Sequence, residues 1–414
     1  RRPPAGARRG RGRGRARRLL RGVPVRGVEV VRAAPRARDA TGVAPGSARP
    51  GAGDVRAQGR RDPRLRVAGA GHVPLRGAPA QAAASSPPAR RRRADLAPAG
   101  GAGVRILVTG GAGFIGGHLV ERLAGDGHEL LVVDDLSTGS AANLPPRIRL
   151  LEADFVAPAA RVALASFRPA AVVHLAAQID AAASVLDPLA DARTNVISTL
   201  ELLEICRSLS PRPRLLFASS AAVYPEDVAL PAVESAAGSP ATPYGVAKLA
   251  VEHYLACYRS AHGLASAALR FANVYGPRQG ARGEGGVVAI FARALASGGA
   301  PRIFGDGRQT RDFVHVADVA EAIARALGAR AQGTFNVSTG VETDIRTVFA
   351  SLAGRLRPGA EPELAPPRPG DVARSALSYG AIASALGWRP SVALAEGLAG
   401  TADWFRTAAG KDPE

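Results

Sequence analysis

Residues 104–116, VRILVTGGAGFIG, constrain the fold more than any other stretch of the chain. Val104 to Val108 is a run dominated by branched apolar side chains, the pattern of a strand buried on both faces. Gly110, Gly113 and Gly116 then give G-x-x-G-x-x-G at the turn into an amphipathic helix over 114–124. A pyrophosphate needs backbone N–H groups close by and no side chains in the way. Glycines at a strand-to-helix turn leave that space, and the helix N-terminus adds partial positive charge. Gly110, Gly113, Phe114, Ile115 and Gly116 are therefore candidate dinucleotide-binding residues. The next strand, over 130–133, ends at Asp134, 18 residues after Gly116. A carboxylate there accepts from both adenosine ribose hydroxyls and repels a 2′-phosphate, which favours NAD over NADP.

Strands and helices alternate from this point. The loop 135–146 carries Asp135, Leu136, Ser137, Thr138 and Gly139, which suits a loop wrapping the ribose. A third strand over 149–152 leads to Asp154 and Phe155, followed by a helix over 159–167. The fourth strand, 170–175, ends at Leu175 and the small residues Ala176 and Ala177, which let a cofactor lie close to the backbone. A long helix over 187–209 contains Asn195, and a fifth strand covers 214–218. This spacing predicts an α/β fold: a Rossmann doubly wound parallel sheet with right-handed crossovers and a smaller C-terminal substrate domain. Residues 104–272 form the dinucleotide-binding domain in this reading. Residues 273–414 form mainly the substrate domain, with some segments returning to the Rossmann core. Within the latter, helices are expected over 286–297, 316–327, 343–356 and 392–407, and strands over 302–304 and 334–337.

Charge divides the chain differently. Residues 1–103 hold 25 arginines, no lysine and five acids, whereas residues 104–414 hold 29 bases and 30 acids. The formal +19 therefore resides in the N-terminal quarter. That quarter is Arg, Ala, Gly and Pro in irregular order, too poor in large apolar side chains to offset ordering entropy, so disorder is expected. Its arginine clusters would contact nucleic-acid phosphates, and nucleic acid is an expected partner only if this segment is native. The composition is also that of translated GC-rich DNA, and the chain contains no methionine. The expectation is that the native protein begins at Val104. Two cysteines, Cys206 and Cys257, show no metal-ligand spacing and suit a reducing cytoplasm. No apolar run reaches spanning length, so neither a membrane nor a metal is expected.

The chemistry is signalled by Ser219 and Ser220 after the fifth strand, then Tyr244 and Lys248 as Y-x-x-x-K in a helix over 244–262. The i, i+4 spacing puts phenol and ammonium on one helix face. A nearby ammonium, helped by a bound nicotinamide cation, would lower the phenol pKa and make Tyr244 a candidate general base. The chain uses 52 arginines but only two lysines, Lys248 and Lys411. Retaining Lys248 points to a need for a compact ammonium that also bonds ribose hydroxyls.

The motifs TGGAGFIG, VVDDLSTG, HLAAQ, SSAAVY, PYGVAK, RFANVYGPRQ and GDGRQTRDFVHV occur in this order. Together they resemble the extended short-chain dehydrogenase/reductase family, the NAD-dependent epimerase/dehydratases, with closest likeness to its UDP-glucose 4-epimerase group. The resemblance spans about residues 104–408. It implies NAD-dependent epimerisation of a UDP-sugar at C4 through a transient 4-keto sugar, extending from UDP-glucose and UDP-galactose to the N-acetyl forms. It implies that Tyr244 takes the 4-hydroxyl proton, Ser220 bonds the reacting oxygen, and Lys248 orients the ribose and tunes Tyr244. Asp154 would meet adenine, and Asn195 with Leu175, Ala176 and Ala177 would line the cofactor. On the substrate side, the resemblance implies that Asn273 holds a phosphate and Phe304 stacks on uracil. Arg311, Arg368 and Asp371 would hold pyrophosphate and ribose, and arginine forks suit phosphate oxygens. It also implies a homodimer built on the helices 187–209 and 244–262.

Departures from the family pattern narrow the reading. Ala221 and Ala222 stand where the 4,6-dehydratase branch carries Asp and Glu, so elimination of water is not supported. Ala222 also replaces a frequent epimerase Thr, and Ile179 stands where some epimerases carry Lys. Ser375 is small where some relatives carry a bulkier residue, which leaves room for a 2-acetamido group. The alternatives are another nucleotide-sugar epimerase, such as one acting on UDP-glucuronate, and a non-catalytic NAD-binding protein.

Overall fold

Eight parallel strands make the main sheet of this computed structural model, which describes residues 29–32, 103–280, 286–368 and 371–408. In chain order they are β1 (Glu29–Arg32), β2 (Arg105–Thr109), β3 (Glu129–Asp134), β4 (Arg149–Glu152), β5 (Ala171–His174), β6 (Arg214–Ser220) and β7 (Ser266–Phe271), with Gly333–Val337 as the last. Across the sheet the order is β1-β4-β3-β2-β5-β6-β7 and then Gly333–Val337. The order reverses direction beside β2, and an open parallel sheet binds its ligand at such a switch point.

Alternation along each strand fills two layers. Ile106, Val108, Leu130, Val132 and Val173 face α1 (Phe114–Gly125) and the helix Val316–Gly328. Leu107, Leu131, Val133, Val172 and Phe217 face α2 (Pro158–Phe167), the helix Ser198–Ser208 and the helix Pro243–His262. Strands buried on both sides read as continuous apolar runs, which is why residues 104–108 were so legible.

The expected helix over 187–209 is present over 188–208, with a π-helical turn inside it. α3 (Ala181–Leu186) precedes it, and the helix itself runs as α4 (Pro188–Ala192), a π-helical turn at Arg193–Ile197 and α5 (Ser198–Ser208). Pro188 cannot continue a helix from residue 187, and Asp180 and Asp187 cap the two short pieces by accepting from Ala183 N and Ala190 N at 2.7 and 2.9 Å. The next helix, α6 (Pro243–His262), begins where expected. Thr242 caps it by accepting from Gly245 N at 3.2 Å, Pro243 occupies its first turn, and Gly263 ends it at φ +65°.

The C-terminal part supplies β8 (Asn273–Tyr275), α7 (Val287–Ala296), β9 (Arg302–Phe304), β10 (Thr310–His315), α8 (Val316–Gly328), β11 (Gly333–Val337), β12 (Glu342–Asp344), α9 (Ile345–Leu356), β13 (Glu363–Ala365), α10 (Gly380–Leu386) and α11 (Leu394–Ala408). β10 pairs with β8 and β12, and β13 with β9. Phe291, Leu295, Phe313, Val348, Leu352, Leu398 and Phe405 form its separate core. Residues 343 and 344, expected as helix, belong to β12, with Asp344 capping α9 instead.

β1 departs from the expected disorder of residues 1–103. Val30 and Val31 give it strand character, and it pairs in parallel with β4 at the sheet edge. The remaining arginine-rich residues and Lys411 lie outside the described residues. Among the described residues, no helix is long and apolar enough to cross a membrane, and no His/Cys/Asp/Glu cluster could hold a metal.

Candidate active site

The glycine turn is tight because neighbouring backbones occupy the space a side chain would need. Gly110 has φ +68°, and a Cβ there would lie 2.6 Å from Ala176 N; at Gly116 it would lie 2.2 Å from Gly110 O. Gly113 is the extended residue before α1, whose first residues are Phe114 and Ile115. The turn therefore presses directly onto Leu175 and Ala176 just after β5, with Ala177 next in the chain, and presents the backbone that a dinucleotide requires. Asp134, buried at the end of β3, accepts from Ala112 N and Leu136 N at 2.9 Å each. Burial pushes its carboxyl upward, against those backbone donors. Each carboxylate oxygen keeps acceptor capacity for a ribose hydroxyl. Leu136 adopts φ +57°, Ser137 donates to Asp135 at 2.6 Å, and Gly139 packs against Ala112 and Asp134, so this loop folds back over the glycine turn. Thr138 lies in the same loop, Asp154 is exposed at the end of β4, and Phe155 meets the His174 ring edge-on at 4.8 Å. These residues fit a bound dinucleotide.

A buried chain of hydrogen bonds runs beneath this surface. Thr109 Oγ1 and His174 Nδ1 are 2.7 Å apart, His174 Nε2 and Thr199 Oγ1 3.0 Å, and Thr199 donates to Asn195 O at 2.8 Å. The last donor fixes the direction, so His174 carries its proton on Nε2. Complete burial drives its pKa down to about 3, with the Lys248 charge adding to the effect. Asn195 itself spends its side chain on protein: Oδ1 accepts from Gln178 N at 3.0 Å, and Nδ2 donates to Gln178 O and Asp191 at 2.9 and 2.8 Å. It clamps the loop after β5 to the π-helical turn. π-Helical turns concentrate at functional sites.

Ser220 ends β6 and accepts from Ala222 N at 3.1 Å. Helix α6 is pressed against this turn: a Cβ at Gly245 would lie 2.2 Å from Ala222 O. Ser184 Oγ accepts from Tyr244 N at 3.1 Å, fixing the helix start from the other side. Ser220 lies close enough to Tyr244 to pull its phenol's pKa down, and Lys248 Nζ lies 5.6 Å from the Tyr244 ring, 4.7 Å from the Phe217 ring, and donates to Ala218 O at 2.9 Å. The structure thus brings Ser220, Tyr244 and Lys248 together. Burial pushes the Tyr244 phenol up to about 12 despite the opposing influence of Ser220, and pushes the Lys248 ammonium down to about 8. Desolvation is the largest influence on both groups in the protein by itself.

Beneath Lys248 lies a polar network that the motifs did not announce. Arg270 on β7 pairs bidentately with Glu252 on α6, both side chains 5% exposed. Ser219 donates to the same carboxylate, Arg270 also donates to Tyr224 at 2.9 Å, and Tyr224 donates to Asn336 at 2.7 Å. An arginine inside an otherwise apolar strand, and Glu252 four residues after Lys248, were its traces in the sequence.

The substrate-side candidates gather in the C-terminal part. β9 pairs with β13, so the Arg368 guanidinium reaches 3.9 Å from the centre of the Phe304 ring. Arg311 on β10 pairs with Asp371 and donates to Val372 O at 2.6 Å. Asn273 is exposed at the start of β8, beside Phe313 of β10.

The family model of the NAD dependent epimerase/dehydratase family matches residues 106–338. The chain belongs to this family. A UDP-glucose 4-epimerase of Mycolicibacterium smegmatis is 46% identical over 309 residues, covering 73% of this chain and 99% of that protein. The crystal structure of a UDP-glucose 4-epimerase from Thermotoga maritima with UDP-glucose is 40% identical, with a TM-score of 0.71, covering 74% of this chain and 99% of that one. A Thermus thermophilus UDP-glucose 4-epimerase in complex with NAD is 43% identical, with a TM-score of 0.68, over 73% and 99% of the two chains. The shared family accounts for the parallel sheet and for the order of the motifs along it.

Proposed function

We propose that this protein is an NAD-dependent UDP-glucose 4-epimerase. The observation that carries the reading is the meeting of Ser220, Tyr244 and Lys248 at the same sheet edge as the glycine turn, in a chain 46% identical to a UDP-glucose 4-epimerase. Gly110, Gly113, Gly116, Asp134 and the loop 135–139 would hold NAD, which supplies the hydride acceptor and donor for C4. Tyr244 takes the proton of the 4-hydroxyl and later returns it. Ser220 holds the reacting oxygen by a hydrogen bond, and Lys248 donates to ribose hydroxyls through the N–H groups not used on Ala218 O. A cationic ring bound nearby opposes the burial that keeps Tyr244 protonated. Arg311, Arg368 and Asp371 would hold pyrophosphate and ribose, Phe304 the uracil, and Asn273 a phosphate.

The protein acts as a homodimer in this reading. Leu186, Leu189, Ile197, Val246 and Tyr254 are exposed on α3, α4, the π-helical turn and α6, segments that pack together. Its compartment is the cytoplasm, consistent with free Cys206 and Cys257. The test is incubation with UDP-glucose, UDP-N-acetylglucosamine and UDP-glucuronate, with products resolved at C4. Formation of UDP-galactose is expected. Turnover of UDP-glucuronate alone would overturn the substrate assignment, and turnover of none would overturn the activity.

A further inference from the structure

The buried Glu252–Arg270 pair has no part in the proposed chemistry, yet its atoms reach the strand that ends in Ser220. Glu252 Oε1 accepts from Arg270 Nε at 2.9 Å and from Ser219 Oγ, and Oε2 accepts from Arg270 Nε and Nη2 at 3.2 and 2.6 Å. One carboxylate on α6 is thus tied to both strands beneath it. Ser219 of β6 and Arg270 of β7 are register partners, and the residue after Ser219 is Ser220. One helical turn before Glu252, Lys248 Nζ donates to Ala218 O of the same strand at 2.9 Å, and Tyr244 lies one turn before that. We propose that Glu252 is a positioning residue: paired with Arg270, its carboxylate fixes where α6 sits along β6, and so sets the alignment of Tyr244 against Ser220.

The rest of this contact is apolar. Val251 and Leu255 of α6 pack in one cluster with Phe217 of β6 and Ala268 of β7. Apolar burial is non-directional, so such a contact tolerates a slide of the helix, whereas hydrogen bonds hold only over a narrow range of distance and angle. A buried ion pair adds little stability over apolar residues of the same size, because desolvation offsets the attraction. What this pair supplies is geometry. Its anchor is rigid: Arg270 Nη1 donates to Glu234 O at 2.7 Å and to Tyr224 at 2.9 Å. Tyr224 donates to Asn336 of β11 at 2.7 Å, and Asn336 Nδ2 donates to Ala232 O and Ser378 O at 3.0 and 3.1 Å. Held in this way, Arg270 cannot follow α6 if the helix shifts, and the carboxylate is kept to one place.

The inference rests on Tyr244 and Ser220 acting together in the proposed reaction, and one readout of its test needs no turnover. Glu252→Leu combined with Arg270→Met removes both charges at once, so no unpaired charge is left buried, an exchange that buried pairs often tolerate. In the full-length protein with its NAD, kcat is expected to fall by about 10²-fold, the cost of a small misplacement, while KM, NAD content and thermal midpoint hold. The chain contains six tyrosines, so fluorotyrosine labelling gives six fluorine resonances, and Tyr244→Phe assigns one of them. The Tyr244 resonance is expected to move in the double variant, with those of Tyr275 and Tyr379 unmoved. A folded double variant whose Tyr244 resonance stays put, or whose kcat stays within about twofold, overturns the proposal. A loss of kcat that comes only with lost NAD or a lowered thermal midpoint marks a structural role and overturns it too. If the double variant does not fold, Ser219→Ala decides, since it keeps the ion pair and cuts the bond to β6. It is expected to lower kcat by about tenfold and to move the same resonance, with Ser219→Thr restoring both, and unchanged values overturn the proposal. Failure of the unsubstituted protein to epimerise any UDP-sugar would sink the proposed function, and the Tyr244 resonance would still report whether Glu252 holds the helix.

Discussion

Single side chains here take their chemistry from burial more than from their neighbours. Tyr244 illustrates the balance: burial raises its pKa to about 12 with Ser220 and Lys248 both close, so the general base we propose would need the positive charge of a bound cofactor to form. Tyr244→Phe is expected to cut epimerase turnover by about 10²–10⁴-fold, the usual cost of losing a general base, while the purified protein keeps its NAD. Spectrophotometric NAD content and a coupled UDP-galactose assay measure the two arms separately. His174 shows the same desolvation as a stability effect. Its folded pKa of about 3 lies below the unfolded value near 6.5, so the unfolded chain binds the extra proton between those pH values. Stability from this group is complete above pH 6.5 and is lost as pH falls toward 3, with a slope of about 1.4 kcal/mol per pH unit. Urea titrations from pH 7 to 4 should show that slope flattened in His174→Asn.

At the scale of elements, close approach decides which substitutions are tolerated. The glycine turn leaves no room: a methyl group at residue 116 would overlap the Gly110 carbonyl. Gly116→Ala should therefore cost at least about 2 kcal/mol of stability, by strain of the kind stored at tight turns, and abolish NAD retention. Chemical denaturation and cofactor content check both. This turn was legible in the sequence because the glycines are spaced by the demands of one ligand and one helix start. β4 and β9 were placed to the residue, since short apolar runs bounded by turns leave little choice. The helix over 187–209 was legible because its apolar periodicity continues through the π-helical turn, whereas the short helix α3 before it has no such run to announce it. Ser220, Tyr244 and Lys248 were readable from spacing. Glu252 and Arg270 left only a faint trace, and Asp191 none, because what distinguishes them is burial, and buried charge looks like surface charge in a sequence.

Considered whole, the molecule leaves an apolar strip on the segments that carry its chemistry. Leu186 is 86% exposed, Leu189 67% and Val246 52%, an arrangement a solvated monomer surface gains nothing from. α6 presents Val246 outward while holding Tyr244 and Lys248 inward, so covering that face with a second copy would also stiffen the helix that aims the phenol. Such a face, repeated by a two-fold axis, suits an isologous interface. Leu189→Lys combined with Val246→Lys places two charges on each side of that interface without touching the buried face of α6. The expected result is a mass by light scattering that halves relative to the unsubstituted protein, with a lower thermal midpoint and reduced turnover. An unsubstituted protein that is already monomeric at micromolar concentration would remove the dimer from the proposed function. A double variant that stays dimeric would instead place the interface elsewhere on the molecule.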